Sequence, residues 1–284
     1  MAEVVEIAEE APVYENASEY VRHHLSFLTY GKTEEGHLGF AHTAEEATNM
    51  GFWSIHVDTM LMSVVLGLVF LGLFFSVSRK ATSGVPGGLQ NAVEFVIEMV
   101  QNSIKNSFHG NCAYLGPLAL TIFCWIFLMN AMDLVPVDMI PLAAQAITGD
   151  PHLFFKSVPS TDINITLGFS LSIFFLVIYY SIKNKGLGGF LGEFAFHPFG
   201  KWAIPLNLIL ELPGFLAKPV SLALRLYGNL FAGEVIFLVI GMIGYYQLPF
   251  NFAWSVFHIL VIILQAYLFM MLTIVYINQA HNTH

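Results

Sequence analysis

The chain has 284 residues, of which 56% are hydrophobic and only 11% are charged, whereas a soluble domain usually carries about 25% charged residues. The apolar residues form long runs almost free of charge, so the composition excludes an ordinary soluble protein and predicts an integral membrane protein. The net charge of −9 argues against a nucleic-acid ligand, because a phosphate backbone attracts proteins of the opposite sign.

The first fifty residues are strongly acidic. They hold ten of the twenty acidic residues, all of them Glu, against two bases, Arg22 and Lys32. We therefore predict that residues 1–50 form an acidic, solvated tail. The N-terminus has neither the basic region nor the apolar core of a cleavable signal peptide, so we expect the first membrane segment to insert as it stands.

Five segments are apolar enough to cross a bilayer, which takes about 20 residues. The fourth, of about 39 residues, would be about 58 Å long as a helix, whereas the hydrocarbon layer is about 30 Å thick. It is therefore predicted to be either one strongly tilted helix or two short helices divided at Pro213. The predicted spans are 54–77, 115–132, 163–182, 205–243 and 252–277.

Two further elements are predicted between the spans. Residues 84–107 form a less apolar helix that we expect either to lie at the membrane interface or to re-enter the membrane in part. The glycines at 186, 188, 189 and 192 indicate a flexible loop.

The predicted fold class is thus an all-α integral membrane protein with five transmembrane helices, an interfacial helix and a long tilted hairpin of spans four and five. Its parts are an extracytoplasmic tail (1–50), helices one to three with the interfacial helix (51–200) and the hairpin (201–284).

Basic loop residues predict the orientation, because they favour the cytoplasmic side. The loop between spans two and three has one base, Lys156, among four aspartates. The loops after spans one and three should therefore face the cytoplasm, with the N-terminus outside and the C-terminus inside. The bases that follow spans one and three are Arg79, Lys80, Lys105, Lys183, Lys185 and Lys201.

Four charged residues lie inside the fourth span, where a charge at the bilayer centre costs about 2.5–3.5 kcal/mol on insertion scales. Lys218 is long enough to reach the interface and Glu211 lies near the inner end, so these two are either solvated or functional. Arg225 and Glu234 have apolar residues on both sides, and this placement favours a functional role for each.

Helical spacing sorts the polar side chains of this span. Glu234 lies nine residues after Arg225, which places it on the opposite face, about 13.5 Å further along the axis. Gly228 and Gly233 leave the helix surface thin enough for another helix to approach closely. The residues that share the Arg225 face at helical spacing are Lys218, Ser221, Arg225 and Asn229.

The fifth span carries His258 and Gln265, seven residues apart on one face. If this span runs antiparallel to the fourth, Gln265 lies near the depth of Arg225 and His258 near the depth of Glu234. His258 and Glu234 could then form a proton relay, since histidine titrates near neutral pH. The alternative for His258 and Gln265 is a structural hydrogen bond between helices.

Asp133 and Asp138, at the end of span two, either line an outer vestibule or are merely solvated. The eleven histidines include no H-E-x-x-H metal motif, and no phosphate-binding loop is present. We therefore expect no metal, no cofactor and no directly bound nucleotide.

Four runs carry a family resemblance. They read KPVSLALRLYGNLFAGE at 218–234, PLNLILE at 205–211, FHILVIILQAY at 257–267 and NAMDLVPVD at 130–138. In these runs the chain closely resembles subunit a of bacterial F-type ATP synthases, over most of residues 50–280. The pairing of Glu234 with His258 resembles the proteobacterial members.

The resemblance implies a function. Arg225 would be the essential stator charge that faces the ring of c subunits and separates two offset half-channels for protons. Lys218 and Ser221 would lie near the inner half-channel. The implied location is the bacterial inner membrane, and the implied partners are the c-ring, the b-subunit peripheral stalk and membrane lipid. The chain would be a proton-channel subunit that is not catalytic alone. The residues implied for the outer half-channel are Asn229, Glu234, His258 and Gln265.

Two other classes of protein are less consistent with the residues. A standalone ion-coupled transporter usually shows internal repeats, and none is evident. An intramembrane protease or lipid transferase needs a nucleophile–base or metal constellation, which the sequence lacks.

Overall fold

Five long apolar helices dominate the fold. A computed structural model describes residues 25–33, 36–41, 44–82, 84–108, 112–136, 139–149, 155–196 and 199–281. Within them α2, α4, α6, α7 and α8 are long and apolar enough to cross a membrane, which confirms the predicted all-α membrane class. The helices are α1 Ala44–Asn49, α2 Val57–Lys80, α3 Gly88–Ser107, α4 Leu115–Ala131, α5 Met139–Thr148, α6 Ile163–Phe196, α7 Ile204–Gly241 and α8 Gln247–His281.

A small antiparallel sheet precedes the first span. It consists of β1 Thr29–Lys32, β2 Leu38–Phe40 and β3 Ile55–His56 in the order β2-β1-β3, with Tyr30 paired to both Phe40 and Ile55. Part of the predicted solvated tail is therefore folded. Strands of two to four residues are too short to show a clear alternation of apolar and polar side chains.

The long fourth span is one helix. α7 runs through 38 residues with Pro213 and Pro219 inside it, so of the two alternatives the single helix is correct and the division at Pro213 is wrong. The Ser170 hydroxyl donates a hydrogen bond of 2.5 Å to the Pro219 carbonyl. This bond joins α7 to α6 beside the second proline, and membrane helices tolerate proline where neighbouring helices pack against them.

The glycine-rich segment after the third span is also helical. Gly186 has φ 73° and ψ 163°, which breaks the helix at one point, and glycine adopts this left-handed region without a steric penalty. The helix then continues to Phe196, so the prediction of a flexible loop over residues 188–192 is wrong. A helix is also present near the predicted interfacial segment, as α3, while its location at the interface stays a prediction.

Contacts between residues divide the chain into two compact units. Unit 1 has buried side chains such as Met129 and Leu238, and unit 2 has buried side chains such as Ala119, Phe269 and Ile274. Unit 1 comprises Met1–Val69, Leu128–Asp162 and Asn229–Ile262, and unit 2 comprises Phe70–Phe127, Ile163–Gly228 and Ile263–His284.

Candidate functional site

Arg225 lies on an exposed apolar face of α7. Its side chain is exposed, beside Val220 and Leu224, which are 47% and 48% exposed. None of the residues that the structure describes forms an ion pair or hydrogen bond with its guanidinium. A guanidinium is always charged in proteins and is costly against hydrocarbon, so this face is suited to a polar or anionic partner outside the chain.

The other polar residues of α7 lie as the helical spacing predicts. Ser221 and Asn229 are exposed like Arg225. Glu234, in contrast, is only 3% exposed. The helix therefore presents Arg225 on an exposed face and buries Glu234, while its other carboxylate, Glu211, is exposed.

Asp133 and His258 form a buried pair in unit 1. The His258 Nε2 and Asp133 Oδ2 atoms are 2.5 Å apart, and the two side chains are 1% and 2% exposed. The ring of Phe237 meets the imidazole edge-on at 5.4 Å, and Trp254 stacks at 6.0 Å. Asp133 is thus buried and paired, and the alternative that it is merely solvated is wrong.

Gly233 allows α7 to approach this imidazole. A Cβ atom at this position would lie 2.9 Å from Nδ1 and 3.1 Å from Nε2 of His258. Ordinary contacts between non-bonded heavy atoms begin at about 3.5 Å. The close approach therefore depends on the missing side chain of glycine, as the thin helix surface at Gly233 predicted.

Glu234 pairs with a lysine from a loop. Lys156 Nζ lies 3.1 Å from Glu234 Oε2, and the two side chains are 2% and 4% exposed. The ammonium also lies 4.6 Å from the centre of the Phe27 ring and 5.8 Å from that of Phe231, within the range of cation–π attraction. Glu234 and His258, expected to form a relay together, thus have different partners.

Asp58, in the first turn of α2, ties three chain segments together. Its Oδ2 accepts backbone N–H bonds of 2.9 Å from Leu28 and from Lys156. Its Oδ1 accepts the N–H of Thr59 at 2.8 Å. A carboxylate with three backbone donors fixes these segments, because each of these N–H groups would otherwise be left unpaired.

His56 continues this polar network. Its Nδ1 lies 2.7 Å from Asp162 Oδ2, which also accepts the Thr59 hydroxyl at 3.0 Å. Its ring stacks on Phe27 at 4.4 Å. Burial lowers the pKa of His56, but the hydrogen bond and charge of Asp162, with the charge of Asp58, outweigh burial and raise this pKa above 6.5.

Unit 2 contains a cavity of about 250 Å³, lined by both Glu211 and Lys218. Lys218 Nζ donates to Gln279 Oε1 at 3.1 Å, and Lys185 Nζ donates to the Gln279 carbonyl at 3.1 Å. Glu211 and Lys218, the two charged residues from the first half of span four, therefore line the same cavity.

The other predicted site residues are less informative. Gln265 is 2% exposed, and Asp138 lies outside the described residues. Sequence reasoning used Lys156 only for orientation and gave no role to Asp58, His56 or Asp162. The available signals were weak: a lone base among loop aspartates, and a carboxylate at the start of a very apolar span.

Comparison with known proteins places these features in a family. The ATP synthase A chain family matches residues 60–278. Similar proteins include ATP synthase subunit a 2 of Hahella chejuensis, 59% identical over 94% of this chain and 98% of the relative. ATP synthase subunit a of Marinomonas sp. and of Pseudomonas aeruginosa are 56% and 55% identical over the same shares. With most of its length matched at this identity, the chain belongs to the ATP synthase subunit a family, a non-catalytic proton-channel component of the bacterial enzyme in the inner membrane.

Proposed function

We propose that this chain conducts protons through two offset half-channels to the carboxylates of a rotating c-ring, with Arg225 as the fixed charge that separates them. The observation that carries this proposal is the exposed guanidinium on the apolar face of α7, unpaired among the described residues. A neighbouring ring of acidic helices would supply its missing partner.

The chemistry follows from the cost of charge in lipid. A rotor carboxylate that faces hydrocarbon is neutral, because burial disfavours its charged form. Close to the permanent charge of Arg225 the same group ionises. A proton would thus enter from one side, travel with the ring for almost a full turn and leave on the other side. One charge that crosses 100 mV yields about 2.3 kcal/mol, so several protons are needed for each ATP.

The polar groups of unit 1 supply an outer path. The buried pairs Asp133–His258 and Lys156–Glu234 offer carboxylates and an imidazole that exchange protons inside an otherwise apolar region. Asn229 and Gln265 would continue the path towards the ring. Asp138 would line the outer vestibule.

The cavity of unit 2 supplies an inner path. Glu211 and Lys218 line it, and Ser221 follows Lys218 on the same face of α7. With basic loops on the cytoplasmic side, the N-terminus is periplasmic and the C-terminus cytoplasmic. The tail at 1–50 is then extracytoplasmic, α3 lies at the interface, and α7 and α8 form a tilted hairpin against the ring, while a b-subunit stalk anchors the stator.

Arg225→Ala tests this function. We expect no proton-driven ATP synthesis in inverted membrane vesicles and an increased passive proton leak, because nothing separates the half-channels. The matched control is Arg79→Ala, which removes an arginine from the end of α2 and should leave both rates unchanged. Assays with and without sodium identify the ion. Synthesis at the wild-type rate in Arg225→Ala refutes the proposal.

A further inference from the structure

We infer that Lys156 is a positioning residue of the outer proton path, whose fixed ammonium holds the Glu234 carboxylate in place and favours its ionised form. The inference rests on the proposed proton-conducting function. It assigns a role to a loop outside the membrane helices and to the segment before the first span.

Lys156 is buried, which is unusual for a lysine. Its side chain is 2% exposed and its Nζ lies 3.1 Å from Glu234 Oε2. Lysine side chains normally extend their ammonium to water, and a buried ammonium is costly unless it is paired. The position of Lys156 is therefore explained by its carboxylate partner and not by packing of its aliphatic stem.

Lys156 is held at both its backbone and its ammonium. The backbone N–H of Lys156 bonds to Asp58 Oδ2 at 2.9 Å, and the Phe27 ring lies 4.6 Å from Nζ. Asp58 also binds the N–H of Leu28. The segment around Phe27 thus covers the ion pair and is part of the site.

Charges of both signs act on Glu234. Lys156 and Asp133 both act electrostatically on Glu234, and Asp133 is itself paired with His258. A positive neighbour favours the ionised carboxylate and a negative neighbour opposes it. A protonated lysine has three donors and no acceptor, so Lys156 acts through Glu234 and does not itself relay protons.

Two variants test the role of Lys156. Lys156→Met removes the charge but keeps much of the side-chain length, and Lys156→Arg keeps the positive charge. The assay is passive proton uptake into vesicles that contain the assembled complex, driven by a potassium diffusion potential, as a function of pH on the outer face. In Lys156→Met we expect conduction near neutral pH to fall about tenfold, and the pH of half-maximal conduction to rise by about one unit or more. Lys156→Arg should return both close to wild type. Lys32→Met, at an exposed lysine of the same unit, should change neither.

Lys156→Met leaves Glu234 buried without its partner, which could destabilise the subunit and reduce assembly. A double-variant cycle keeps the inference testable in that case. Lys156→Met combined with Glu234→Gln removes both charges and should conduct like Glu234→Gln alone, since the lysine acts through the glutamate. An unchanged pH profile in Lys156→Met overturns the inference, as does no rescue by arginine. A double variant that is slower than Glu234→Gln by the full factor of Lys156→Met overturns it too. A failure of the proposed proton-conducting function can be told apart from a failure of this inference. In that case Arg225→Ala would synthesise ATP at the wild-type rate, whatever the result for the Lys156 variants.

Discussion

A methyl group added at Gly233 is the smallest change that should disturb the outer path. The new Cβ atom would lie 2.9 Å from His258 Nδ1 and 3.1 Å from Nε2, inside the ordinary contact distance of about 3.5 Å. His258 is buried between Phe237 and Trp254. The Cε1 atom of the ring would lie closer still, so we expect the imidazole to move by roughly 1 Å or more to restore normal contacts.

Movement of the imidazole would lengthen its contact with Asp133. The pair is 2.5 Å apart, and a shift of about 1 Å takes it to about 3.5 Å, beyond the 3.2 Å limit of a good hydrogen bond. A hydrogen bond to a charged group contributes about 1.5–3 kcal/mol, which corresponds to a rate decrease of about ten- to a hundredfold. The free energy of unfolding should change less than the activation free energy of proton conduction. Overpacking costs about 1–3 kcal/mol, and the higher helix propensity of alanine offsets about 1 kcal/mol of this cost.

The assay is ATP-driven proton pumping in inverted vesicles, followed by the quenching of a pH-sensitive dye, at equal amounts of assembled complex. Gly72→Ala in α2 is the matched control, since nothing lies within 4 Å of a Cβ atom there. Pumping by Gly233→Ala at the rate of this control would refute the proposed link between helix approach and proton conduction.

Two further predictions concern titration and exposure. The raised pKa of His56 means that its pair with Asp162 stabilises the folded segment before the first span, residues 25–33, fully below about pH 6.5. This stabilisation is lost as pH rises through the folded-state pKa. Amide exchange of residues 25–33, corrected for intrinsic rates, should therefore show protection that declines with rising pH in the wild type. The control variant His37→Gln should show the same decline, and His56→Gln should not. A decline of the same size in His56→Gln would contradict the prediction. In a background without native cysteines, cysteine at Asn229 should crosslink readily to rotor helices and cysteine at Glu234 poorly, because only the former is exposed, and strong crosslinking from 234 would oppose the assigned faces.

Local sequence rules failed where distant groups compensate for a break. Pro213 left a division of the fourth span open, yet α7 continues through it and through Pro219. The glycine-rich segment predicted a loop, yet only Gly186 leaves the helical conformation. In both cases packing against neighbouring elements outweighs a local preference of a few kcal/mol.

Properties that depend on runs and periods of residues could be predicted from the sequence. Long apolar segments give the five spans, and the 3.6-residue period separates the exposed Arg225 from the buried Glu234 on one helix. Which charged groups form pairs became known only from the folded chain. Glu234 pairs with Lys156, 78 positions away in the chain, and His258 with Asp133, 125 positions away. Neither pairing has a periodic signature, because contact between distant segments depends on how loops and helix ends fold over one another, and a buried charge is stable only where that folding brings an opposite charge to it.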